Sequence, residues 1–195
     1  MASAISRDSL LTLEAYARQR GAFRARVMAH KKRRTLHLGE HVTLQFEDEL
    51  TIRYQVQEML RIERIFEEAG IQGELDAYQP LLPDGHNWKA TMLIEYPDAD
   101  ERRRMLSALK GVATRVWAQV QGCERITPVA DEDLEREDGE KTSSVHFLRF
   151  ELGDEARRRL KAGARLAFGV EHPAYQATLD PVAEEVCAAL AEDLE

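Results

Sequence analysis

Apolar residues in the first part of the chain recur at helical spacing. Leu10, Leu13, Tyr16, Ala17, Phe23 and Val27 predict a helix capped by Ser6 or Asp8 that runs to about Arg34, with Gly21 as its weak point. The period then changes. Residues 35–46 hold two β-prone runs around Gly39-Glu40, which predicts a type II′ hairpin with Leu38 opposite His41 and His37 opposite Val42. Glu47-Asp48-Glu49 supplies an acidic first turn to a second long helix ending near Gly70. At about 100° per residue, Ile52, Val56, Met59, Leu60, Ile62 and Phe66 form one stripe on it.

Residues 77–90 are rich in turn formers and read as a long connecting loop. Shorter elements follow it. Strands are expected at Thr91 to Tyr96, Thr114 to Gln121, Val145 to Leu152 and Arg165 to Glu171, with a short one at Arg125 to Ala130. Helices are expected at Asp100 to Lys110, Asp154 to Ala162 and Asp180 to Leu194. The fold class is therefore α+β. Long N-terminal helices with a hairpin (residues 1–76) join a ferredoxin-like βαββαβ antiparallel sheet with helices on one face (residues 91–195), as one compact unit.

Charged residues interrupt the apolar stripes. Glu63 falls within the stripe of the second helix, and Arg20 and Arg24 fall within that of the first. A buried carboxylate is costly unless paired, so a bridge from Glu63 to Arg20 or Arg24 is the economical expectation. A tuned Glu63 carboxylate is also a catalytic candidate.

With 195 residues, 44% apolar and 32% charged, the chain can bury a core without staples. Met1 to Leu10 has no leader pattern and no apolar run is long enough to span a membrane, which points to a cytoplasmic protein. Cys123 and Cys187 are too few and too distant for a disulfide framework or a cysteine zinc site. The net charge of −8 opposes binding to nucleic acid. The basic run from Arg18 to Arg34 is suited to an acidic partner surface, and without aromatic interleaving it does not favour nucleic acid.

Alternation places His146 beside Leu148 and Phe150, and His172 beside Phe168 and Val170. In a ferredoxin-like sheet their strands flank the Thr91 strand and bring both imidazoles to one sheet end, with backbones roughly 10 Å apart. The loop carrying Asp84, His86, Trp88 and Lys89 enters at that same end. This arrangement predicts a pocket with His86, His146 and His172 as metal candidates. His86, Trp88, Lys89, Arg20 and Arg24 are ligand-binding candidates, and Lys89 or Glu63 an acid or base. The ligand is a metal, a haem or a small anion. Phosphate-loop, dinucleotide, zincin, serine-hydrolase and E-x-x-H di-iron patterns are absent from the sequence.

Several segments together resemble a known family. They are Ala29-His30-Lys31-Lys32-Arg33 with Leu38-Gly39-Glu40-His41, Tyr54 to Phe66, Pro83-Asp84-Gly85 with Lys89 to Tyr96, Val145 to Phe150, and His172-Pro173-Ala174-Tyr175. They are similar to a bacterial family known as a domain of unknown function, number 3501, over essentially the whole chain. Genes of that family commonly stand beside those for rubrerythrin and for an iron-sulfur protein similar to heterodisulfide reductase subunits. The resemblance implies an accessory or interaction protein of a redox or peroxide-defence system, with rubrerythrin or the iron-sulfur protein as partner. The alternative is a small-ligand or metal-dependent enzyme using the histidine-lined pocket. Homo-oligomer formation stays open.

Overall fold

The computed structural model describes residues 5–195; the first four residues of the segment read for a leader lie outside them. Thr12, not Ser6 or Asp8, caps the first helix, α1 (Leu13–Lys32), because its hydroxyl accepts the Ala15 N–H. The segment Arg7–Ser9 forms only a short 3₁₀ turn. The expected hairpin follows as β1 (Thr35–Leu38) and β2 (Val42–Phe46). Its register pairs Leu38 with Val42 and His37 with Thr43, so three residues make the turn, one more than expected. Gly39 enters that turn at φ 71°, a conformation that favours glycine.

The expected second helix, α2 (Glu49–Ile62), stops well short of Gly70, and a further helix not expected there, α3 (Glu68–Tyr78), runs through Gly70. Asp48 and Thr51 form a reciprocal capping box at the start of α2. At its end Arg64 turns left-handed, at φ 55°, and the Ile65 N–H bonds back to the Leu60 carbonyl at 2.9 Å, the Schellman closure. The turn redirects the chain so that Ile71 and Leu75 of α3 pack on Ile52, Val56 and Leu60 of α2.

The remaining elements are β3 (Asn87–Ile94), α4 (Ala99–Ala108), β4 (Val116–Val120), β5 (Val129–Ala130) and β6 (Val145–Glu151). After them come α5 (Asp154–Lys161), β7 (Leu166–His172), β8 (Tyr175–Leu179) and α6 (Glu184–Ala191). The α+β class holds, but the strands do not form one ferredoxin-like sheet. A five-stranded antiparallel sheet runs β1-β2-β3-β6-β5, and a second sheet runs β4-β7-β8. A strand has two edges, and those of β3 are taken by β2 and β6. No edge remains for β7, which pairs instead with β4 and with β8, a strand that the sequence reading passed over.

The two sheets share one core. Phe168 of β7 lies 5.4 Å from Phe46, 5.8 Å from Trp88 and 5.7 Å from Phe150, measured between ring centroids. Each strand of the larger sheet therefore spends one face on this core: Trp88, Ala90, Met92 and Ile94 of β3 are buried in it. The opposite face carries Lys89, Thr91 and Leu93, all half-buried. A cluster of Ile52, Val56, Leu60, Ile71, Leu75 and Leu82 makes a second, smaller core within the helical layer. That layer is apposed to the outer sheet face, and cavities lie between them.

Candidate functional site

β2 ends by pairing Phe46 with Ala90, and the next bond runs from the Glu47 N–H to the Lys89 carbonyl at 2.8 Å. Glu47 and Lys89 are therefore opposed across neighbouring strands on the outer sheet face. Both line a cleft of about 480 Å³ with Leu81, Phe147 and Arg149, within the usual size range of small-molecule sites. Glu47 is buried, and its two carboxylate oxygens accept the hydroxyls of Thr51 at 2.6 Å and Thr91 at 2.8 Å. The two hydroxyls fix the rotamer of the side chain.

Lys89 is held differently. Among the described residues its ammonium takes part in no hydrogen bond or ion pair. Burial pushes it below the usual lysine range, and the Arg149 guanidinium adds to that, against the pull of Glu132, Asp84 and Glu151. Those acids are engaged elsewhere. Glu132 receives Arg149 in a two-point pair at 2.7 Å, Glu151 also pairs with Arg149, and buried Asn87 donates to Asp84 and Glu151. A desolvated amine that shares a cleft with a fixed carboxylate suits nucleophilic attack on a carbonyl with assisted proton transfer.

The histidines expected to share a pocket are divided between the two sheets. His146 is in the five-stranded sheet and His172 in the three-stranded one. His146 faces Asp131 at 2.6 Å through Nδ1, and Thr142 and the Ser143 carbonyl through Nε2. The Nε2 of His172 donates to the Lys110 carbonyl and its Nδ1 accepts the Ala174 N–H. Neither ring has a free nitrogen for a ligand. His86 is exposed, with its Nδ1 against Arg157. Among the described residues, no group of three His, Cys, Asp or Glu side chains is placed to hold a metal ion.

Trp88 is fully buried and donates its indole N–H to the Leu190 carbonyl, so it belongs to the core. The interhelical bridge exists, but its acid is Glu58. Arg20 forms a two-point pair with Glu58 at 2.8 Å, and the Tyr16 hydroxyl donates to the same carboxylate. Glu63 lies just past the end of α2 and is exposed, because the helix stops before completing the expected stripe; Arg24 is exposed too. Of the sequence-derived site residues, Lys89 is the one that lines this cleft. Glu47 was missed because its acidic neighbours suggested a helix start. Continuing the alternation Thr43, Gln45, Glu47 past the end of β2 places it on the outer face.

A larger open cleft of about 800 Å³ includes His30, Arg34, Asp48, Arg53 and Asp193. Its central charges are consumed by one another. His30 meets Asp48 at 2.5 Å, fully buried Arg34 pairs with Asp48 and Asp193, and Arg53 reaches Glu49. These pairs knit α1, α2 and α6 together, and the remaining cations of the lining, Arg26 and Arg33, are exposed at its mouth.

The family described as "Protein of unknown function (DUF3501)" matches residues 4–194, and the chain belongs to it. The chain is also similar to a crystal structure of a novel protein of unknown function from Burkholderia pseudomallei K96243. The two are 55% identical with a TM-score of 0.94, over 99% of this chain and 100% of the other. No curated protein matches. No helix among the described residues is long and apolar enough to cross a membrane.

Proposed function

We propose that this member of the family is an enzyme that acts on small carbonyl compounds through the Lys89 amine, with Glu47 as the proton carrier. The observation that carries the reading is the half-buried, unpaired Lys89 ammonium opposite a buried carboxylate. The Lys89 nitrogen, once deprotonated, attacks the carbonyl carbon, and the carbonyl oxygen takes up a proton to give a carbinolamine. Loss of the hydroxyl as water, with a proton relayed by Glu47, leaves an imine on Lys89. The imine withdraws electrons from the adjacent carbon and makes a proton there removable.

The accessory role in a redox system, which the family resemblance implies, has no use for a desolvated amine in a cleft. The enzyme reading is preferred on that ground. It keeps Lys89 from the residues singled out in the sequence and puts Glu47 where Glu63 was expected.

The test is propanal with cyanoborohydride, read by peptide mass spectrometry. Lys89 is expected to carry the reduced propyl adduct well ahead of exposed Lys161, at a pH where exposed lysines are protonated. Glu47→Gln should slow that adduct about a hundredfold or more, a typical loss for an acid–base group. Labelling of Lys89 no faster than Lys161 would refute the proposal.

A further inference from the structure

We infer that the carbonyl compound carries an unbranched aliphatic tail, held in a second cavity that adjoins the Lys89 cleft; the inference rests on the reading just given. This cavity, about 350 Å³, lies between the outer sheet face and helices α2 and α3. It shares Glu47, Leu81 and Phe147 with the Lys89 cleft, so the two cavities adjoin at the Glu47 side of that cleft.

On its sheet side the second cavity is less polar than its residue types suggest, while Lys31, Gln55 and Tyr78 line it from the helices. The Thr51 and Thr91 hydroxyls are turned onto Glu47, and the Thr43 hydroxyl donates to Glu95 at 2.7 Å. The Gln45 amide donates to the carbonyls of Arg34 and Phe46, and its oxygen accepts the Thr35 hydroxyl. With these polar atoms engaged, the threonines and Gln45 have their methyl and methylene groups left to face the cavity, beside Ile52, Leu93 and Phe147. Leu93 is two residues beyond Thr91 on the same face of β3, so the trough continues along the strand away from Lys89, about 3.3 Å per residue. An extended chain attached to an imine carbon follows that line.

The experiment compares propanal with octanal in the cyanoborohydride reaction, reading Lys89 adduct relative to Lys161 adduct in the same sample. Each buried methylene is worth about fourfold in affinity, so the ratio should rise at least tenfold from propanal to octanal. Leu93→Phe, which fills the cavity from the sheet, should abolish the rise while leaving the propanal ratio unchanged. Gln55→Phe fills it from α2 and serves if the first variant folds poorly. A flat ratio in the unaltered protein overturns the tail while the propanal adduct still supports the function. An equal rise in the filled variants also overturns it, since partitioning at the surface would then be the cause. No Lys89 adduct with either aldehyde overturns both.

Discussion

Arg34 is almost wholly buried, yet its guanidinium reaches the carbonyls of Phe46, Ala189 and Glu47 and two carboxylates, Asp48 and Asp193. One cation does not satisfy two buried anions equally. Burial raises Asp48, but Arg34, the Thr51 N–H and His30 outweigh it and hold the carboxyl below its usual range. Burial pushes Asp193 up to about 6 against the pull of the same guanidinium. The folded protein thus takes up a proton at Asp193 more readily than the unfolded chain does. This contribution favours folding below the ordinary value of 3.8 and is lost as pH rises through about 6. Asp193→Asn keeps an acceptor for Arg34 without the charge. Its stability relative to the parent should improve by about 1 to 3 kcal/mol between pH 4 and pH 7, measured by urea denaturation across that range. Glu58 behaves oppositely: its hydrogen bond from Arg20 outweighs burial, the Tyr16 hydroxyl assists, and the carboxyl is held down to about 2. Its contribution is present above the ordinary 4.5 and disappears as pH falls toward 2. Glu58→Gln should cost about 1 to 2 kcal/mol at pH 7 and flatten the acid limb of the stability curve. An unchanged denaturation midpoint would show the bridge to be idle.

Elements in this fold are stopped and joined by single residues. Gly39 adopts φ 71° in the hairpin turn, and a Cβ there would come within 2.5 Å of the Tyr175 hydroxyl. That hydroxyl donates to the Leu38 carbonyl and accepts the His41 N–H, so the tip of the β1–β2 hairpin is tied to β8 of the other sheet. Gly39→Ala should therefore cost about 2 kcal/mol, from left-handed strain together with the displaced hydroxyl. Amide exchange at His41 should quicken more than at residues in the middle of β3. Several elements were legible in the chain: the hairpin, α4, α5, β6 and β7 all fall within two residues of where periodicity put them. The early stop of α2 and the start of α3 were not. Arg64 occupies a left-handed position where glycine is the usual signal, and the apolar stripe runs on past it through Phe66, which is 72% exposed. Periodicity reports a preferred face and is silent about a turn closed by backbone bonds.

At the scale of the whole molecule, pairing between distant strands decided what the sequence could not. Alternation correctly buried His146 and His172, yet their meeting required β7 to reach an edge of β3 that β2 already held. The same pairing created the site, since opposing Glu47 to Lys89 is a matter of register between β2 and β3. The assembly of layers depends in turn on Arg34, which joins the end of α1 to the start of α2 and to α6, while α6 is also joined to β3 through the bond from Trp88 to Leu190. Replacing a buried cation strands its partners, which costs about 3 to 5 kcal/mol. Arg34→Met should therefore lower stability by that amount at pH 7, with tryptophan emission shifting red as α6 loosens over Trp88. Much of the penalty would be the unpaired charge of Asp193 and not lost packing. Lowering the pH to 5, where Asp193 takes up its proton, should recover part of the loss, and adding Asp193→Asn should recover a similar part at pH 7. Denaturation of the single and double variants at both values gives the coupling directly. If the two substitutions simply add, the guanidinium is not what holds Asp193, and the tie between α6 and the five-stranded sheet must come from packing alone.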